Sequence, residues 1–135
     1  MKKQIMASGA VLFLSLAVIA SAGIKDFDVS LPWLNKEVNA TSYQRKTTSI
    51  DGSNVLFNSA STGSGYVYAY TKIIFSNSGT SVKFSPKIKI STTSGINNWL
   101  GAYSEYNANI NDQVQLVLNS DTWNGDRAAG KWDYK

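Results

Sequence analysis

Two alternating runs joined by a glycine turn occupy the middle of the chain: GYVYAYTKIIFSNSGTSVKFSPKIKIS, residues 65–91. Alternation with a period of two is the pattern of a strand, whose side chains point to opposite faces; it does not lay an apolar stripe along a helix. In the first run Tyr66, Tyr68 and Tyr70 share one parity, opposite Val67, Ala69 and Thr71. In the second, Val82, Phe84, Pro86, Ile88 and Ile90 oppose Lys83, Ser85, Lys87 and Lys89. Asn77-Ser78-Gly79 between them suits a short hairpin loop with glycine in the left-handed position. Around Lys72-Ile73-Ile74-Phe75 the alternation slips, which predicts a bulge.

The same grammar recurs on both sides. Phe27, Val29 and Leu31 alternate with Asp26, Asp28 and Ser30, a strand that Pro32 ends. Residues 43–49 read as a polar strand, residues 50–54 as a turn, and residues 55–60 as the next strand. Residues 61–65 and 92–98 are loops rich in Ser, Thr, Gly and Asn. Trp99 to Tyr106 is a further strand candidate, Val114, Leu116 and Leu118 share a face, and a last strand runs through Trp132. About seven or eight short strands with turns between them predict an all-β fold, an antiparallel β-sandwich, with a small barrel as the alternative.

The N-terminus has its own pattern. Lys2 and Lys3 precede an apolar run from Ala10 to Ala20, and Ala20-Ser21-Ala22 is a small-x-small site. Residues 1–22 therefore read as a cleaved signal peptide, and residues 23–135 as a single exported domain. Val38-Asn39-Ala40 is a weaker processing site, which leaves two readings of residues 23–40: a propeptide or a first strand. The charge of +4 falls to +2 without Lys2 and Lys3, too little to argue for nucleic acid.

The chain has no Cys and no His. No disulfide can staple it, and it lacks an imidazole base, a Ser-His or Cys-His nucleophile pair and a thiolate or imidazole zinc site. No pair of its carboxylates stands out as an acid and base, so the chain reads as non-enzymatic, without cofactor or metal. A weak calcium alternative uses Asp121, Asn124 and Asp126, whose loop reads more simply as an Asx-rich turn. What remains is surface. Lys83, Lys87 and Lys89 either solubilise an edge strand or meet an anionic envelope surface. Tyr66, Tyr68 and Tyr70 either form a cross-strand ladder or, with the four tryptophans Trp33, Trp99, Trp123 and Trp132, a stacking platform for sugars or peptides, the loop residue Trp123 being the one expected to be most exposed.

Three short pieces carry a resemblance: Phe27 and Val29; Arg45, Lys46 and Thr47; and Gly130, Trp132 and Asp133. With them the chain resembles small secreted β-domain proteins of Gram-positive bacteria, a family of unknown function with some members associated with bacteriocin systems. The resemblance implies a secreted β domain and supplies no catalytic residues. The function expected is contact with a cell-wall polymer, a membrane surface or a protein partner at the cell surface. A carbohydrate-binding module and a bacteriocin-like toxin are the alternatives, and the oligomeric state is left open.

Overall fold

A computed structural model describes residues 23–32, 36–62, 64–120 and 126–135. The signal segment 1–22 lies outside the described residues, as do Trp33, Asp121, Trp123 and Asn124. The described chain is all-β, without a helix, in ten strands: β1 (Ile24–Leu31), β2 (Glu37–Asn39), β3 (Gln44–Arg45), β4 (Gly52–Ala60), β5 (Tyr66–Ile74), β6 (Ser81–Lys83), β7 (Ile88–Ser91), β8 (Asn97–Gly101), β9 (Gln113–Ser120) and β10 (Asp126–Asp133). Every ladder is antiparallel.

The first sheet runs β1-β10-β4-β8. In the second, β2 and β3 both pair with β9, β9 pairs with β5, and β5 carries β6 and β7 on its other side. Each edge of the second sheet is thus one broken strand, β2/β3 on one side and β6/β7 on the other. Counted this way there are eight strand positions, and their pairing is nested. First meets last (β1 with β10), second meets second-last (β2/β3 with β9), third meets sixth (β4 with β8), and fourth meets fifth (β5 with β6/β7). The chain is one long double ribbon wrapped into two facing sheets, the topology of a jelly roll.

The ribbon closes on a single core. Phe27, Leu31, Val55, Phe57, Leu100, Ala128 and Trp132 enter it from the first sheet, and Val67, Ala69, Ile73, Ile90, Leu116 and Leu118 from the second. Phe27 meets Phe57 edge to face, with ring centroids 5.7 Å apart. Each fully buried side chain of this size contributes about 1.5–3 kcal/mol, and with no disulfide in the sequence this burial has to hold the sandwich together. The hairpin loop forms as the sequence predicts: Gly79 has φ 70° and donates its N–H to the Phe75 carbonyl at 2.8 Å.

Four local expectations are corrected. There is no bulge at residues 72–75, because β5 pairs with β9 in unbroken register from Val67↔Ser120 to Ile74↔Gln113. The slip in the pattern comes from Ile74, an apolar residue half-buried at an outward position. The register shift lies instead at Ala129/Gly130 of β10, where a Cβ on Gly130 would stand 2.1 Å from the Leu56 carbonyl oxygen. Residues 99–106 are not one strand; β8 ends at Gly101. The loop that follows is pinned by Asp51, which accepts from Ala108 N–H at 2.6 Å, and by Asp112, which accepts from Ser76 and Asn109 N–H groups at 2.8 Å each.

Residues 82–90 are not one strand either. Lys83 pairs with Lys72 and Lys89 with Tyr68, so six residue steps on this edge cover four on β5. The slack falls at Phe84–Lys87, where Pro86 has no N–H to give a ladder. Ser85, expected outside with the lysines, is buried. Its hydroxyl accepts from Thr71 N–H at 2.9 Å and Thr71 Oγ1–H at 3.1 Å, replacing the missing ladder partner. Ile88, expected inside, is 39% exposed at the sheet edge.

Finally, residues 43–49 form only the two-residue β3, and Lys46 just after it is 1% exposed. Its ammonium donates to the main-chain oxygens of Tyr134 at 2.9 Å and Lys135 at 3.2 Å. Burial pushes this ammonium down from its ordinary pKa, partly offset by the charges of Asp51, Asp112 and Asp133. Lys46 thereby ties the β3 side of the second sheet to the end of β10 in the first.

Candidate functional site

β5 sends Val67, Ala69, Thr71 and Ile73 into the core, and that burial fixes Tyr66, Tyr68, Tyr70 and Lys72 on the outer face. The β6/β7 edge lies alongside and brings its lysines over the tyrosines. Lys83 Nζ stands 5.0 Å from the Tyr70 ring centroid, and Lys87 Nζ stands 5.9 Å from that of Tyr68. Lys89 Nζ is 5.6 Å from the Tyr66 ring and 5.9 Å from the Tyr68 ring. The two rows that the sequence offers separately thus form one surface. At such distances each ammonium is drawn to a ring by about 0.5–1 kcal/mol at exposed sites.

This contact changes the meaning of the tyrosines. Tyr70 is buried, Tyr68 half-buried, and only Tyr66 is largely open, at 45%. Lysine ammoniums stand over all three rings, so the row supports charge more than it offers bare faces for stacking.

Glu37 reaches the same surface from the opposite edge. It accepts a 2.7 Å hydrogen bond from the Tyr70 hydroxyl and a 3.2 Å bond from Lys87, spanning β9 and β5. Burial pushes the Glu37 carboxyl up, but the hydrogen bonds from Tyr70 and Lys87 and the charges of Lys87 and Lys72 outweigh it and hold the carboxyl below its ordinary value. The Tyr70 hydroxyl is pushed up to about 12 by burial and by its bond to the Glu37 carboxylate. Tyr43 crosses in the same direction to Ser81, with its hydroxyl 3.0 Å from Ser81 Oγ. Under this strap Gln115, Val117 and Asn119, outward residues of β9, are buried. Among the described residues the face carries Lys72, Lys83, Lys87 and Lys89, with Arg45 opposite Gln113 at the far edge, together with the carboxylate of Glu37.

The remaining candidates fall elsewhere. Trp123, Asp121 and Asn124 lie outside the described residues. Asp126 is buried and accepts a hydrogen bond from the Ser120 hydroxyl. Among the described residues no three metal-ligating side chains converge. The other described aspartates are held by backbone amides or by cations: Asp51 and Asp112 as loop anchors, Asp26, Asp28 and Asp133 in ion pairs.

Sequence reasoning missed Glu37 and Lys72 as surface features; of the four tryptophans offered for stacking, Trp99 is exposed, on the other sheet from the tyrosines, and Trp132 is buried in the core. Lys72 continues the tyrosine parity and was findable. Glu37 was not, because only the β2–β9–β5 order brings it there. Neither a protein-family model nor a curated protein matches the sequence.

Proposed function

We propose that the chain is an exported, non-enzymatic binding protein whose lysine–tyrosine face holds a phosphate-bearing polymer of the cell envelope. One observation carries this reading: among the described residues Lys72, Lys83, Lys87, Lys89 and Arg45 share a sheet face with Glu37, and three of the lysines are seated over tyrosine rings. Seated ammoniums lose less freedom when a polyanion arrives than lysines waving in water. Each cation near an anionic surface adds about 1 kcal/mol, and salt screens it. Export rests on the n-region, apolar run and small-x-small site of residues 1–22.

The test is co-sedimentation with purified cell wall before and after its phosphate polymers are removed. Expected is binding to intact wall that weakens at least tenfold from low salt to about 500 mM, and that phosphate removal abolishes. Binding that ignores both salt and phosphate removal overturns the reading. Processing is checked separately by N-terminal sequencing of the protein from culture supernatant, which should begin at Gly23.

A further inference from the structure

The opposite face of the sandwich carries an unrelated feature. Trp99 on β8 is 51% exposed, the second most open of the large apolar residues after Ile110 among the described residues. Its indole lies flat on a cross-strand glycine pair, Gly52 of β4 and Gly101 of β8. A Cβ on Gly52 would stand 2.3 Å from the indole Cζ2, and one on Gly101 would stand 2.9 Å from Nε1. Only glycine at both positions lets the ring lie down. One face of the indole covers the glycines, and the other looks out.

Next along the same two strands, on the same face, is an open depression of about 300 Å³ lined by Ile24, Asn54, Leu56, Asn97, Lys131 and Asp133. Asn54 is the register partner of Trp99, and Asn97 is two residues before it. The amides of Asn54 and Asn97 make no hydrogen bond among the described residues, whereas Asn98, turned the other way, is fully engaged by Ser91, Val55 and Ile96. The charges at the rim are matched: Lys131 pairs with Asp26, and Asp133 with Lys135.

We infer that this face is a second binding site, for a neutral chain of β-linked pyranoses. The flat C–H face of a pyranose stacks on an exposed indole, and its ring hydroxyls pair with amides that can both donate and accept. A volume near 300 Å³ lies at the small end of ligand sites, fitting one sugar ring beside the ring held by Trp99. A neutral ligand is selected because the two charged residues that line the depression, Lys131 and Asp133, are each in an ion pair. Covering the glycine pair would account for a Trp at position 99, since an aromatic on a strand glycine stabilises an edge. It does not account for the uncommitted amides beside it.

The test is isothermal titration of the protein with cellohexaose, chitohexaose and β-1,4-mannohexaose. At least one is expected to bind in the micromolar to millimolar range. Trp99→Ala should weaken that binding by at least about tenfold, and Asn97→Ala and Asn54→Ala by several-fold each with unchanged melting temperature. Replacing Lys83, Lys87 and Lys89 by Gln, or adding salt, should leave it unchanged, which separates this site from the cationic face. No binding of any of the three hexasaccharides at millimolar concentration overturns the inference. If Trp99→Ala unfolds the protein, the asparagine variants decide, and undiminished binding in both overturns it as well.

Discussion

The outer faces of the two sheets are built from similar charged residues and use them in opposite ways. On the first sheet three ion pairs join neighbours of opposite sign: Asp26 with Lys131 at 2.7 Å, Asp28 with Arg127 at 2.8 Å, and Asp133 with Lys135 at 3.1 Å. On the second sheet lysines are placed over tyrosine rings, and among the described residues Glu37 joins them through Lys87. A carboxylate partner cancels a lysine's field; an aromatic partner holds the ammonium in place and leaves its charge to act at a distance. The first arrangement gives a quiet surface, the second a charged one that is already ordered. Net charge hides this difference, since it says nothing of where the charges sit.

The most forceful way to break the comparison is to reverse charge on each face in turn. Lys83→Glu, Lys87→Glu and Lys89→Glu together should weaken binding to phosphate-bearing wall by about a hundredfold at low salt. Arg127→Glu, Lys131→Glu and Lys135→Glu together reverse as many charges on the first sheet and should shift binding by no more than about threefold. Equal losses in the two variants, by co-sedimentation, would mean that overall charge rather than the built face governs adhesion.

A smaller effect sharpens the contrast from within the basic face. Tyr70→Phe removes the hydroxyl that donates to Glu37 and should cost about 1 kcal/mol at neutral pH, the ordinary value of one hydrogen bond. It should also leave a signature in pH. The Tyr70 pKa is raised on folding, so its contribution is fully present below pH 10 and is lost as pH rises toward about 12. Glu37 is shifted the other way, so its contribution is present above its ordinary value and fades as pH falls below it. The variant should lose the alkaline slope and show a weaker acid one. Burial favours the neutral form of Lys46 as well, but it does so in both proteins and cancels in their difference. Parallel stability–pH curves for the two, from chemical denaturation, would remove Tyr70 from its assigned part in the strap.

Much of this architecture was legible in the alternation. The parity of Val67, Ala69 and Thr71 against Tyr66, Tyr68 and Tyr70 was enough to say which side of β5 enters the core, and Val114, Leu116 and Leu118 said the same of β9. The hairpin at Asn77-Ser78-Gly79 even implied that the tyrosines and lysines share a neighbourhood. What parity cannot supply is the order of strands distant in sequence. Glu37 and Lys87 meet only because β9 and β5 lie between their edges, and Lys46 is buried only because the end of β10 offers it two carbonyl oxygens. A lysine in a polar run reads as solvated until those acceptors are known. Local rules also misread Ser85 and Ile88, since a proline that interrupts the ladder resets parity and the length of the interruption is a property of the neighbouring strand. Trp99 was visible as a tryptophan, but its exposure depends on Gly52, forty-seven positions earlier and opposite Gly101 in the register.

The smallest predicted effect tests the quiet face. Arg127 binds both carboxylate oxygens of Asp28, at 2.9 and 2.8 Å, a fork geometry that looks strong on distance alone. The hydrogen bonds and charge of Arg127 hold the Asp28 carboxyl below its ordinary value against a slight opposing push from burial. Yet both groups are open to water, where ions and hydration compete for the pair. Asp28→Asn should therefore move the denaturation midpoint no further than its experimental scatter, with any loss confined to pH above the ordinary aspartate range, where the wild-type carboxylate is ionised. A clear loss in that range would show that these pairs fasten β1 to β10 rather than merely neutralising a surface. β1 would then depend on its acids as much as on Phe27 and Leu31, and the two faces would differ in which strand their charges serve, not in whether those charges are free to act outward.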